Sequence, residues 1–221
     1  MSGLIYNVAP TTFPVTLEEA LLFLKQNSGT PDDALVTDLI IMATEEVELI
    51  TEHQLQDATS TQFFDGWPGG YNYGYYTRFI PLMRPPLQSV ASVKFIDFDD
   101  VEQTIDPSNY QVKINNEARG IIEFDIDFIL PILSRNPLDR IIVEFISGYE
   151  SWPGRNGVPV SLKTAIKYFI NEIYQHRLYQ QEGSITGVLM KNEFAMKLLR
   201  GYMVRTPDSI GLGGSIPNVV T

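Results

Sequence analysis

Few residues in this sequence are of a type and spacing that could do chemistry. Asp97, Asp99 and Asp100 stand close enough together to invite a calcium reading. The stretch lacks the glycine and the distal glutamate that a calcium loop uses for its sharp turn and bidentate ligand. A hairpin turn with solvated carboxylates is the better reading, because Asp favours turns by accepting from nearby backbone N–H groups. Glu123, Asp125 and Asp127 alternate, so an extended chain would put them on one face. Paired carboxylates can hold Mg²⁺ for nuclease chemistry, but no Lys or His stands in a recognisable relation to these three. They read instead as an exposed strand edge kept from pairing by its charge.

His53 and His176 are the two histidines. Each falls at the end of a helical stretch, where a cation suits the helix dipole. Cysteine is absent, which removes disulfides and thiolate metal sites and fits synthesis in a reducing cytoplasm. Gly211-Leu212-Gly213-Gly214-Ser215 is no phosphate loop, because no Lys follows and no strand or helix frames it. Neither G-x-S-x-G nor H-E-x-x-H occurs. These residues imply a protein with no catalytic site, no metal and no cofactor.

Two segments stand out by composition instead. Trp67, Tyr71, Tyr73, Tyr75 and Tyr76 crowd a Gly-rich stretch over residues 67–76. Stacking on single-stranded nucleic acid would use such rings but also needs a cationic groove, and only Arg78 is near. Rigid aromatic rings give protein interfaces contact area at low entropy cost, so contact with a neighbouring protein is the preferred reading. The second segment, 206–221, is rich in Gly, Ser and Pro and has no helical period. Ile210, Leu212, Ile216, Val219 and Val220 give it an extended apolar pattern that suits docking along a partner or adding a strand to it.

The chain has 221 residues, 44% of them hydrophobic and 19% charged. That is ordinary globular usage for one domain, long enough to bury a real core. The N-terminus has no basic start followed by a long apolar stretch, so no signal peptide is expected, and no apolar run suits a bilayer crossing. The net charge is −11, from 16 Lys and Arg against 27 Asp and Glu. Such a surface repels phosphate at long range, which argues against sequence-specific DNA binding.

The elements follow from periodicity. Thr16-Leu17-Glu18-Glu19 is a capping-box pattern that opens a helix over about 16–27. Leu35, Leu39, Ala43, Val47 and Ile50 make the apolar stripe of a second helix, over about 33–53. Short alternating stretches with turn residues between them then predict an antiparallel β-region over about 61–148. Leu162, Ala165, Ile166, Phe169, Ile170, Ile173 and Tyr174 form the stripe of a long helix over about 161–181. A short helix over about 192–203 follows. The expected class is α+β: about four helices in a bundle, an inserted antiparallel β-region, and an extended segment after residue 205.

This order resembles the head–tail connector (adaptor) family of tailed bacteriophages, gp6-like and gp8-like. The residues that carry the resemblance are Val15-Thr16-Leu17-Glu18-Glu19-Ala20, then Arg84-Pro85-Pro86-Leu87-Gln88-Ser89-Val90 with Ser92-Val93. Residues 101–110, Val143-Glu144-Phe145-Ile146-Ser147-Gly148-Tyr149, and Val158-Pro159 with Leu162-Lys163-Thr164-Ala165-Ile166 follow in order. Together they span about residues 4–204. The resemblance implies a structural subunit of a ring, commonly of twelve, below the portal in the virion neck, assembled in the host bacterial cytoplasm. The ring extends the DNA channel and receives the next component, a stopper or tail-terminator protein. DNA passes without sequence-specific binding. In similar connectors the C-terminal part reaches onto the portal, so the resemblance assigns Ile210, Leu212, Ile216, Val219 and Val220 to portal contact. Other readings are another neck protein, such as a stopper or tail-completion protein, and a metal-dependent nuclease built on Glu123, Asp125 and Asp127.

Overall fold

The computed structural model describes residues 2–30, 32–67, 71, 72, 75, 76, 78–114, 119–136, 138–151, 157–176 and 192–203. Four α-helices and a set of antiparallel sheets lie among them, an α+β fold.

Each helix starts where a side chain can take up a free backbone N–H, or at a proline that needs none. In α1 (Leu17–Leu24) the Thr16 hydroxyl accepts from Glu19 N at 3.2 Å, and Lys25 ends the helix in the left-handed conformation. At the start of α2 (Asp32–Thr51), Asp33 accepts from Gly29 N at 2.8 Å. The third helix, α3 (Val160–His176), follows Pro159. Asn192 opens α4 (Glu193–Leu199) by accepting from Ala195 N at 3.0 Å. The expected helices at 16–27 and 192–203 are trimmed at both ends, while that at 33–53 begins one residue earlier and ends two residues sooner; residues 177–181 of the long one lie outside the described residues. Val36, Ala43, Leu162, Ile166, Phe169 and Leu199 are completely buried where the helices meet. Phe194, expected in the stripe of the last helix, is half exposed and packs against Tyr168, with ring centroids 4.9 Å apart.

The β-region forms a second core. Its main sheet has the order β1 (Ser2–Val8), β2 (Ala58–Phe64), β10 (Ile141–Ser147), β6 (Leu87–Ile96) and β7 (Glu102–Thr104), every pair antiparallel. A three-stranded sheet runs β5 (Phe79–Pro81), β9 (Ile121–Phe124), β8 (Tyr110–Lys113). A two-residue ladder joins β3 (Tyr71–Asn72) to β4 (Tyr75–Tyr76). Along β10 the residues alternate, and Ile141, Val143 and Phe145 face inward with Val93, Ile80 and Ile122.

Three expectations need correction. Periodicity gives the N-terminal stretch no strand, yet it is β1, an edge of the main sheet. Its partner lies more than fifty residues away, at register Ile5↔Thr61, so no local turn announces it. Glu123 is not on an edge: β9 is the central strand of its sheet, and Glu123 pairs with Lys113 beside it. His53 is no exposed dipole cation. It is buried, stacked on Tyr149 at 5.9 Å, with Nδ1 3.0 Å from Thr51 O.

A polar seam connects the two cores. Thr51, His53, Gln54, Gln56, Ser60 and Gln62 are all buried along the chain from α2 into β2. Buried polar groups are costly unless they are bonded. Two distant segments bond to the backbone of this stretch and to each other: Gln54 N donates to Pro85 O at 2.8 Å, Tyr149 N to Leu55 O at 3.3 Å, and Gly148 N to Pro86 O at 3.0 Å. The Pro85–Pro86 bond is cis. Asp57 adds to the joint, accepting from the Gln88 side chain at 2.6 Å, Glu150 N at 3.0 Å and Ser151 N at 3.1 Å. Gly148 has φ +139°, and a Cβ there would stand 2.6 Å from Asp57 Cα, so only glycine fits. The Arg84–Val90 and Val143–Tyr149 stretches that carry the family resemblance therefore meet at one joint.

Candidate interaction surfaces

Among the described residues, no three His, Cys, Asp or Glu side chains are grouped so as to hold a metal ion, and no helix is long and apolar enough to cross a membrane. Asp97 spends its carboxylate on its own turn. It accepts from Val101 N and Asp99 N, both at 3.0 Å, and from the Gln103 amide at 3.0 Å. Those bonds, the one from Val101 foremost, hold its pKa below the ordinary carboxylate value. Asp100 accepts from the Ser134 hydroxyl.

Among the described residues, the loop after β9 carries the most exposed apolar side chains of the β-region. Arg78 Nη1 donates to Asp125 O at 2.5 Å and Phe128 O at 2.8 Å, pinning the turn from inside. Asp125 N donates to Asn109 O at 3.0 Å, and Phe128 stacks on Phe124 at 5.8 Å. Trp67 Nε1 donates to Pro131 O at 3.0 Å and holds the far end. With its backbone so held, the loop turns Phe128, Leu130 and Leu133 against the core and leaves Ile126, Ile129 and Ile132 exposed at 83%, 86% and 77%. Exposed apolar side chains on a backbone held in this way are a candidate contact surface. The sequence carries this signal as a run of Ile and Phe between carboxylates, but the alternating carboxylates are the more conspicuous pattern.

A second surface runs from β1 onto the helices. Ile5 and Val8 of β1 are 54% and 61% exposed, Phe13 40% and Leu49 67%. Tyr6, Pro10, Phe13, Ile41 and Leu49 line a groove of about 510 Å³ between the strand exit and α2. Tyr6 OH donates to the Gln54 amide oxygen at 2.9 Å in its wall. Glu48 also lines it, and its Oε1 accepts from Leu55 N at 2.9 Å and the Gln54 amide at 3.1 Å. Burial is the main influence on Glu48 and raises its pKa; the Leu55 bond and Arg84 pull the other way.

The aromatic stretch divides. Trp67 is half-buried and belongs to the β core, against Phe95 at 6.3 Å and Phe124 at 5.5 Å. Tyr71, Tyr75 and Tyr76 sit on the β3–β4 ladder, with Tyr71 opposite Tyr76. Tyr73 lies outside the described residues, as do Ile210, Leu212, Ile216, Val219 and Val220.

No protein-family model matches the chain, and no curated protein matches it. Solved structures do. A chain in the neck of an empty gene transfer agent particle, computed with C6 symmetry, is 18% identical with a TM-score of 0.70. That match covers 96% of this chain and 98% of the other. The chain shares that fold. A chain in the virion of a native gene transfer agent particle matches at 19% identity and TM-score 0.69, over 96% and 98%. The neck of the native particle, computed with C12 symmetry, gives 17% identity and TM-score 0.59, over 95% and 98%.

Proposed function

We propose that this chain is a head–tail connector (adaptor) subunit of a tailed phage or phage-like particle. It forms a ring below the portal in the virion neck, extends the DNA channel, and receives a stopper or tail-terminator protein. The observation that supports this reading is the match to chains of neck structures over nearly the full length of both partners. One of those necks was computed with C12 symmetry, which supports twelve copies as the ring size proposed here. The role is structural. No chemistry is assigned to the carboxylates, because Asp97 and Asp100 are engaged in their turn and Glu123 in a pair with Lys113.

A ring passes DNA best if its bore does not bind phosphate. At −11 per subunit, twelve copies carry a charge of about −130, enough to keep a duplex from sticking during transit. A subunit in a cyclic ring also needs two different surfaces, one for each neighbour. The Ile126–Ile129–Ile132 loop and the β1 groove are two such apolar surfaces in separate parts of the fold. Portal contact is assigned to the C-terminal segment through Ile210, Leu212, Ile216, Val219 and Val220. Contact with a neighbouring subunit or neck protein is assigned to the Trp67–Tyr76 stretch through Tyr71, Tyr73, Tyr75 and Tyr76, with Trp67 anchoring its base.

Imaging of particle necks carrying a tagged copy tests the placement: density for the tag is expected in the ring next to the portal. Density in the ring next to the tail would move the assignment to a stopper or tail-completion role. Pull-down by portal rings of the full chain and of a chain lacking residues 206–221 tests the portal contact. Equal recovery overturns it.

A further inference from the structure

We propose that in the unassembled subunit the free edge of β1 and the groove beside it are covered by the chain's own residues 210–220. The inference rests on reading that segment as a docking strand, and adds where it lies before it meets the portal.

The two edges of the main sheet are built differently. The β7 edge is three residues long, and its Glu102 is tied to Lys94 at 2.8 Å. Short, charged edges resist strand addition. The β1 edge is seven residues long, carries no charge and exposes Ile5 and Val8. Beyond it lies a mainly apolar groove lined by Phe13 and Leu49, with Glu45, Glu48 and Arg84 among its polar lining. A free edge of this kind recruits other chains and promotes aggregation unless something lies on it.

The edge specifies its occupant: extended, to satisfy backbone N–H and C=O groups, apolar at intervals, and uncharged. Residues 209–221 contain no charged side chain and place Ile210, Leu212, Ile216, Val219 and Val220 along an otherwise small and polar stretch. Pro217 suits this use. A proline is tolerated in an outermost strand, where half the N–H groups face solvent, and it then blocks addition of a further strand.

Reach favours the chain's own segment over a neighbour's. Tyr202 packs its ring edge against His53, with centroids 6.2 Å apart. His53 precedes Gln54, which lines the groove and takes the Tyr6 hydroxyl. Residues 204–209 span about 20 Å when extended, enough to carry the segment there. A tether this short gives an effective concentration in the millimolar range, well above that of free subunits in dilute solution. Docking to a portal would then exchange β1 for a new partner.

The absence of native cysteine makes a direct test available. Ile5→Cys and Val219→Cys are introduced together and oxidised with copper phenanthroline at low micromolar protein, with Leu138→Cys and Val219→Cys as the control pair. An intrachain disulfide is expected for the first pair at several-fold the yield of the control. Yields equal to the control, or interchain dimers alone, overturn the proposal. Hydrogen exchange supplies an independent reading without introduced thiols. Amides of residues 2–8 are expected to exchange at least tenfold faster in a chain ending at residue 203 than in the full chain. Equal rates overturn the proposal. Neither measurement involves the portal, so failure here leaves the neck assignment to be judged by its own pull-down.

Discussion

The polar seam and the isoleucine loop invert the usual arrangement of a soluble domain. At the seam, Gln54, Gln56, Ser60 and Gln62 are buried between two apolar cores. At the loop, Ile126, Ile129 and Ile132 stand in solvent. The seam is directional: hydrogen bonds through Asp57, Pro85 and Pro86 fix how β2, β6 and β10 meet the helices, which apolar packing alone would leave loose. The loop is non-directional surface, held rigid by Arg78 and Trp67 and left for something else to bury. The contrast teaches that fold specificity resides inside the chain in polar bonds, while the apolar side chains displayed outside are the surface proposed above for assembly.

The sharpest way to break the seam is Gly148→Ala. It forces a side chain at φ +139° and against the Asp57 backbone, and a loss of about 3 kcal/mol or more is expected in urea denaturation. A loss below about 1 kcal/mol would mean the joint is pliant. Asp57→Ala comes next. It strips an acceptor from the Gln88 amide and from the N–H groups of Glu150 and Ser151, and about 2 kcal/mol should be lost in the same assay.

The loop should respond in the opposite sense. Ile126→Ser with Ile129→Ser is expected to change stability by no more than about 0.5 kcal/mol, because both side chains are already in water. Incorporation of the variant into particle necks, counted by mass spectrometry of purified particles, should fall several-fold. A large stability loss with normal incorporation would make the loop part of the core and end the contrast.

A modest effect is expected at Glu48. Burial raises its pKa above the ordinary value of 4.5, so the folded chain holds that proton more tightly than the unfolded chain. The stability this contributes is fully present below the unfolded pKa and is lost as pH rises through the folded one. Glu48→Gln keeps an oxygen that can accept from Leu55 N and the Gln54 amide, and removes the buried charge. Its stability at pH 7 is expected to lie within about 1 kcal/mol of wild type, at or above it, with a flatter profile as pH rises above the ordinary carboxylate range. Thermal melts across that range check it. A variant that steepens the profile would show that the Glu48 charge is supported by Arg84 more than it is opposed by burial.

Sequence alone determined what is local. The hydroxyl of Thr16, the apolar stripes of α2 and α3, and the Asp97 turn each act within a few residues, so each is legible in the order of the residues themselves. So is the absence of catalytic motifs, and so is the antiparallel character of the β-region. The tertiary structure decided what depends on distant partners. Strand β1 exists only because residues 58–64 pair with it. Glu123 is central, not an edge, because β5 and β8 lie on both sides of β9. His53 is inside because Tyr149, almost a hundred residues on, offers it a ring to stack on. The candidate surfaces divide in the same way. Composition singles out Trp67 and the tyrosines after it, and folding turns Trp67 inward to brace the loop. The three isoleucines are visible as residues, but which of the loop's apolar side chains face out is fixed by Arg78 reaching two carbonyls from another segment. Periodicity carries no information about such non-local bonds, because they close only when the whole chain has collapsed around them.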